Sequence, residues 1–235
     1  MIRFWSDVTI SRCPDGYAIK LDTKSVCLPN GKALVVPQRA LAEAISHEWR
    51  SAGPSLGAVV HPNGLPLTRL AGTAQDMVAA DRGSVVTKLV SYAHADLLCY
   101  RVDRPKKLRD AQAVYWQPWL DWAARDLGIQ LATTNGLVAI EQPEASIDAV
   151  RALVEDFDAW ALTALGALTP ALGSIVLGLA LQMGCLDPDA AHKLATLESR
   201  IQAEFWGEDA DAVARLDQIA KDIATAARFA RFAQS

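Results

Sequence analysis

Cysteine is scarce in this chain: four in 235 residues, at positions 13, 27, 99 and 185, with no C-x-x-C pair. That spread fits reduced thiols better than a disulfide framework. Cys27, Cys99 and Cys185 stand among apolar neighbours and are expected as reduced, half-buried thiols. Histidine is equally sparse. His47, His61, His94 and His192 fall in four separate predicted elements, and His47-Glu48 has no second histidine one turn on, so no metal site is expected. Positive charge is not in excess either. The formal net charge is -4, which argues against a nucleic-acid partner. The one basic run, Arg104, Lys106, Lys107 and Arg109, reads as a solvated loop.

Phosphate and nucleophile signatures are missing as well. Asn30-Gly31-Lys32 is a hairpin turn without the Ser/Thr of a phosphate loop, and Gly173-Ser174 runs into Ile175 and Val176, which is no nucleophile elbow. No cofactor is expected. The N-terminal residues Met1 to Asp7 hold an acid and no long apolar run, so neither a secretory nor a transit peptide is predicted, and a cytoplasmic location follows as the expectation. Ala159 to Leu186 carries no charge, but Pro170 interrupts it. A membrane span needs about 20 continuous apolar residues. Two helices, Ile147–Ala167 and Pro170–Gly184, are expected instead, the second apolar all round and buried in a bundle, with no stable membrane insertion.

What is present is a globular composition, 51% hydrophobic and 21% charged. The predicted class is α+β: a small N-terminal antiparallel β-sheet domain with a helix over residues 1–62, then a larger, mostly α-helical domain over 63–235. Strands are predicted at Phe4–Ile10, Tyr17–Asp22, Lys24–Pro29 and Ala33–Pro37, punctuated by Asp-Gly and Asn-Gly turns. A helix over Gln38–Ser51 covers them. After a Gly/Pro-rich connector, helical periodicity dominates. It predicts a helix over Ala111–Leu127, bent or started by Pro118, then Pro188–Trp206 and Asp209–Phe232, with a strand at Gly136–Glu141. Val213, Leu216, Ile219, Ile223, Ala227 and Ala230 form a core stripe on the last helix.

Two features carry functional weight. Glu198 lies beside the apolar stripe Leu194, Leu197, Ile201 and Phe205, with Gln202 next to it. A buried carboxylate needs a partner. The spacing alone favours an internal salt bridge, with Arg69, Arg101 or Arg228 as candidates; the other reading is a cation from a second protein. The seven tryptophans are mostly core, with one or two as interface anchors.

At these residues the chain resembles a known family. Pro66-Leu67-Thr68-Arg69-Leu70, Asp96-Leu97-Leu98-Cys99-Tyr100-Arg101, Gln112 with Trp116-Gln117-Pro118, Leu172-Gly173-Ser174-Ile175-Val176-Leu177, and Leu197-Glu198 with Gln202 and Trp206-Gly207 follow in that order. The set is similar to the assembly chaperones for the catalytic head of the F-type ATP synthase, specifically the member that handles the alpha subunit. The resemblance implies no enzymatic activity. It implies a transient complex with the unassembled alpha subunit, released when the beta subunit takes its place. It also implies that Glu198 is the functionally important acid of an L-E-x-x-x-Q pattern, with Ser199 where a second acid often stands. Glu198, Gln202 and Trp206 are the expected partner-binding residues, in a bacterial, cytoplasmic version of the family. Two other readings compete. One is an enzyme with a non-standard acid site, using Glu198, Asp96 or His94 in an interdomain cleft. The other is a membrane-associated scaffold resting on Ala159–Leu186.

Overall fold

The Pro14-Asp15 turn closes a hairpin of β1 (Val8–Cys13) and β2 (Gly16–Leu21), with Val8 opposite Leu21 and Cys13 opposite Gly16. The structure is a computed structural model and describes residues 1–136, 138, 140–207 and 209–233. β3 (Lys24–Ser25) and β4 (Val35–Val36) both pair antiparallel with β2, so β2 is the spine of a four-stranded sheet. Gly16 permits the pairing with β4. A Cβ there would lie 2.3 Å from the Val36 carbonyl oxygen, and its φ of +139° suits glycine. The first strand begins at Val8, later than expected. The Ser6 and Asp7 N–H groups donate to the Asp22 carboxylate, which takes them out of strand pairing.

α1 (Arg39–Ser51) buries Leu41, Ala42, Ile45 and Trp49 against this sheet, as its apolar face requires. Trp5 and Trp49 meet edge to face at 5.1 Å, and the Trp5 indole N–H donates to the Trp49 carbonyl at 3.2 Å. The neighbouring Glu48 fastens the next helix, α2 (Pro66–Gly72). Its carboxylate accepts the Leu67 N–H at 2.7 Å, the Thr68 N–H at 2.9 Å and the Thr68 hydroxyl at 2.6 Å. Those two N–H groups would otherwise be unsatisfied at the helix start, because Leu65 has no side chain to cap them. α2 continues into a wider, π-helical segment over Thr73–Val78.

Chain contacts divide the molecule into two units. The first comprises Met1–Arg82, Ala159–Ala164 and the chain from Arg228 on; the second comprises Gly83–Asp158 and Leu165–Ala227. The boundary expected after residue 62 falls inside the first unit. In that unit Trp160 stacks on Phe229 at 6.1 Å, and Phe229 and Ala230 join the core beneath the sheet.

The second unit is helical, and its helices are shorter than their periodicity suggests. α3 spans Arg82–His94; the expected helix over Ala111–Leu127 resolves into α4 (Lys106–Tyr115) and α5 (Gln117–Leu127), with Pro118 in the first turn of α5. α6 (Glu144–Glu155) and α7 (Ala159–Leu172) are separate, and Pro170 sits inside the end of α7 rather than starting a helix. Gly173, at φ +64°, ends that helix, and Ser174 caps α8 (Ile175–Gln182), accepting the Leu177 N–H at 3.0 Å. All eight residues of α8 are buried, as expected for the centre of a bundle. Gly178 makes room there: a Cβ on it would lie 2.9 Å from the Thr169 hydroxyl.

The expected helix Pro188–Trp206 breaks at Thr196 into α9 (Pro188–Ala195) and α10 (Leu197–Trp206). The Thr196 hydroxyl turns back to the His192 carbonyl at 2.7 Å. α11 runs from Ala210 to Ala233. Its predicted stripe is only half covered: Ile223 and Ala230 are buried, whereas Val213 is exposed and Leu216 partly so. Of the cysteines only Cys99 is buried; Cys27 and Cys185 are exposed because they sit in a loop bridge and after the end of α8. The strand expected at Gly136–Glu141 includes Leu137 and Ala139, which lie outside the described residues; Gly136 and Val138 are bends. Among the described residues no helix is long and apolar enough to cross a membrane.

Candidate functional site

The break at Thr196 gives α10 an unusual position for a helix in a bundle. Of its ten residues only Leu197 and Ile201 are buried. Glu198, Gln202 and Trp206 follow at four-residue spacing, so they line one side of the helix. Gln202 is exposed, and Trp206 is 88% exposed, far more than a core tryptophan. Phe205, expected on the apolar stripe, is 56% exposed, with the Lys107 ammonium 5.8 Å from its ring centre.

Glu198 is half-buried, and among the described residues its one hydrogen-bond donor is a neutral amide. The Gln112 side-chain N–H donates to it at 2.7 Å. Gln112 is itself buried on α4, and its side-chain oxygen accepts the Val102 N–H at 2.9 Å, which fixes the amide so that its NH₂ faces the acid. Burial pushes the Glu198 carboxyl above its ordinary range, and the Gln112 hydrogen bond pulls it part of the way back.

The internal salt bridge favoured by spacing does not form. Arg101 is engaged elsewhere, donating to the Leu98 carbonyl at 2.8 Å and the Gln112 carbonyl at 2.6 Å, with its guanidinium 5.4 Å from the Trp116 ring centre. Arg69 hydrogen-bonds Asn63, and Arg228 exerts its charge on Glu48. Among the described residues no cation pairs with Glu198. The pairing could not be read from spacing because it depends on Gln112, 86 residues earlier in the chain.

Among the described residues, three recesses adjoin α10. Glu198 opens onto one of about 600 Å³, walled by Tyr100, Arg101, Arg104, Asn135 and Gly136. Gln202 and Trp206 line a second of about 610 Å³, whose opposite wall includes Val213 and Leu216 of α11. On the flank of α10 facing α4, α5 and α9 is a third, of about 660 Å³, with Val114, Tyr115 and Trp119 in its lining. Val114 and Tyr115 are 63% and 54% exposed. These two were not anticipated, because an apolar pair on a helix reads as core. Gln112 offered a signal, as a polar residue one turn from Leu108 on the buried face of α4.

The other two candidates of the acid-site alternative lie apart from Glu198. Asp96 is wholly buried and accepts the Leu98 N–H at 3.0 Å, the Val176 N–H at 3.2 Å and the Ser174 hydroxyl at 2.9 Å. It ties the Leu97–Cys99 turn to the start of α8, and burial pushes it up to about 6. His94 is exposed, and neither it nor Asp96 lines the recess at Glu198. Among the described residues no three His, Cys, Asp or Glu side chains are grouped to hold a metal ion.

With this geometry in place, the chain can be set beside known proteins. A family model described as ATP12 chaperone protein matches residues 2–124. The crystal structure of Atp12 from Paracoccus denitrificans superposes with a TM-score of 0.92 at 37% identity, covering 99% of this chain and 98% of that one. The Atu1473 protein from Agrobacterium tumefaciens superposes at 0.91 with 35% identity, covering 98% and 85%. Among curated proteins, the mitochondrial protein atp12 of Schizosaccharomyces pombe is 27% identical over 222 residues, 89% of this chain and 75% of that protein.

Proposed function

The chain belongs to the ATP12 chaperone family, assembly chaperones of the F-type ATP synthase, and from that premise we propose that its client is the unassembled alpha subunit of the catalytic head. The chain holds this subunit against aggregation and yields it to the beta subunit. The observation that carries the reading is Glu198, a half-buried carboxylate with one amide donor and no cation of its own among the described residues. A basic side chain of the client completes the pair. Gln202 and Trp206, one and two turns further along, extend the contact with an amide and an indole.

The physical logic is that of a temporary cover. A lone alpha subunit exposes apolar surface that its neighbours in the ring would bury, and such surface aggregates. A desolvated charge pair gives selectivity more than affinity, which suits a complex that must give way. Exposed Trp206 supplies an aromatic anchor of the kind that concentrates binding energy. The reading sets this work in the bacterial cytoplasm, since the solved structures it resembles come from bacteria.

Light scattering of purified alpha subunit tests the proposal. An equimolar amount of this chain suppresses aggregation, whereas Glu198→Lys folds and fails to protect. Absence of suppression by the unaltered chain rejects the client, and unfolding of Glu198→Lys would instead make Glu198 a structural residue.

A further inference from the structure

The third recess, between α4–α5 and α9–α10, has an apolar floor and a basic rim. Leu194, Leu197 and Ile201 lie at its base, with Val114, Tyr115 and Trp119 on the wall. Four charged side chains line it: Lys107, Lys193, Arg200 and Glu204. Lys107 and Glu204 are paired with each other. Lys193 and Arg200 are exposed, and among the described residues neither has an ion-pair partner. The groove therefore concentrates uncompensated positive charge in a chain whose net charge is -4. Arg200 and Glu204 also line the recess that holds Trp206, so α10 is a ridge between the two.

We propose that this groove seats an amphipathic helix of the client whose apolar face is edged by Asp or Glu. The inference rests on the reading of the alpha subunit as client and adds what part of it docks here. The groove walls are helices whose backbone groups are already bonded, so there is no sheet edge for an extended strand to join, and recognition falls to side chains. α10 is ten residues long, about 15 Å, which matches about three turns of a docked helix. The apolar floor takes the apolar stripe of that helix. Lys193 and Arg200 take its acids. Glu198 lines a separate recess with Arg101, Asp103 and Arg104, where the charges of the lining balance; there it is the unpaired carboxylate alone that takes a basic side chain, whereas the groove takes acids.

Two double variants of the full chain test this, each on exposed side chains and each checked for an unchanged melting temperature. Binding of purified F-type ATP synthase alpha subunit is measured at low and high salt. Lys193→Glu with Arg200→Glu weakens binding about tenfold at low salt and flattens its salt dependence. Val114→Ser with Tyr115→Ser weakens it about tenfold at both salts. A photoreactive residue replacing Tyr115 cross-links to an alpha-subunit helix bearing acidic side chains. The inference fails if both double variants bind like the unaltered chain. It also fails if the cross-link lands on a second copy of this chain or on a segment without acids. If the unaltered chain does not bind the alpha subunit at all, the client assignment falls and the groove's occupant falls with it. If it binds and only the groove variants are silent, the client stands and the groove alone is wrong.

Discussion

Glu48 in the first unit and Glu198 in the second are both partly buried, and burial raises the pKa of both, yet the chain treats them differently. Glu48 receives two backbone N–H groups and a hydroxyl, all from the first turn of α2. Its acceptor sites are filled by the fold, so it acts as a helix cap set at a distance of 19 to 20 residues. Glu198 receives one amide N–H, and Arg101 and Arg69 are hydrogen-bonded elsewhere. A carboxylate completed internally serves stability. One left incomplete at the edge of a recess is open to a donor from outside the chain, which is what the proposed function asks of it. Burial alone does not separate the two cases, because a count of donors is needed.

The contrast predicts opposite phenotypes. The largest effect is expected for Glu198→Lys, which places like charge against a basic client: binding to the alpha subunit falls about a hundredfold, while the melting temperature stays nearly unchanged. Titration calorimetry and a thermal melt read the two quantities side by side. Next is Glu48→Ala, which leaves two helix-start N–H groups without their acceptor and lowers the unfolding free energy by about 2 kcal/mol, with little effect on client affinity per folded molecule. Denaturant unfolding measures it. Trp206→Ala follows, with binding weakened about tenfold and no loss of stability, since the indole is 88% exposed.

The smallest effect concerns pH. A carboxyl whose folded pKa is raised stabilises the fold below its unfolded value, ordinarily 4.5 for this group, and that contribution disappears as pH rises through the folded pKa. Relative to Glu198→Gln, the unaltered chain therefore loses a little stability on going from acid to neutral pH. Parallel denaturant curves across that range show the slope, and a difference of the reverse sign would place a cation near Glu198 after all.

Local chemistry explains which parts were readable in advance. The first hairpin was legible because the Pro14-Asp15-Gly16 turn punctuates alternating strands, and α8 because an uncharged stretch after Pro170 has nowhere to go but a bundle core; the strands expected on either side of Asn30-Gly31 keep only one bridge between them, Cys27 to Ala33, because β3 and β4 pair with β2 instead. The break before α5 was legible in Pro118, but those at Asp156 and Thr196 were hidden, because apolar periodicity runs on through them. Glu198, Gln202 and Trp206 were legible as a line on one helix. What surrounds them was not. Gln112 reaches Glu198 across 86 residues, and Val114 and Tyr115 differ from core residues only in having nothing packed over them.

The turn at Thr196 has an evolutionary corollary. It separates α10 from α9, and Leu197 and Ile201 are the buried members of that helix. The exposed positions on it can vary without disturbing the buried core, so on the proposed function selection for a changed client acts on this one short segment while the bundle beneath stays as it is.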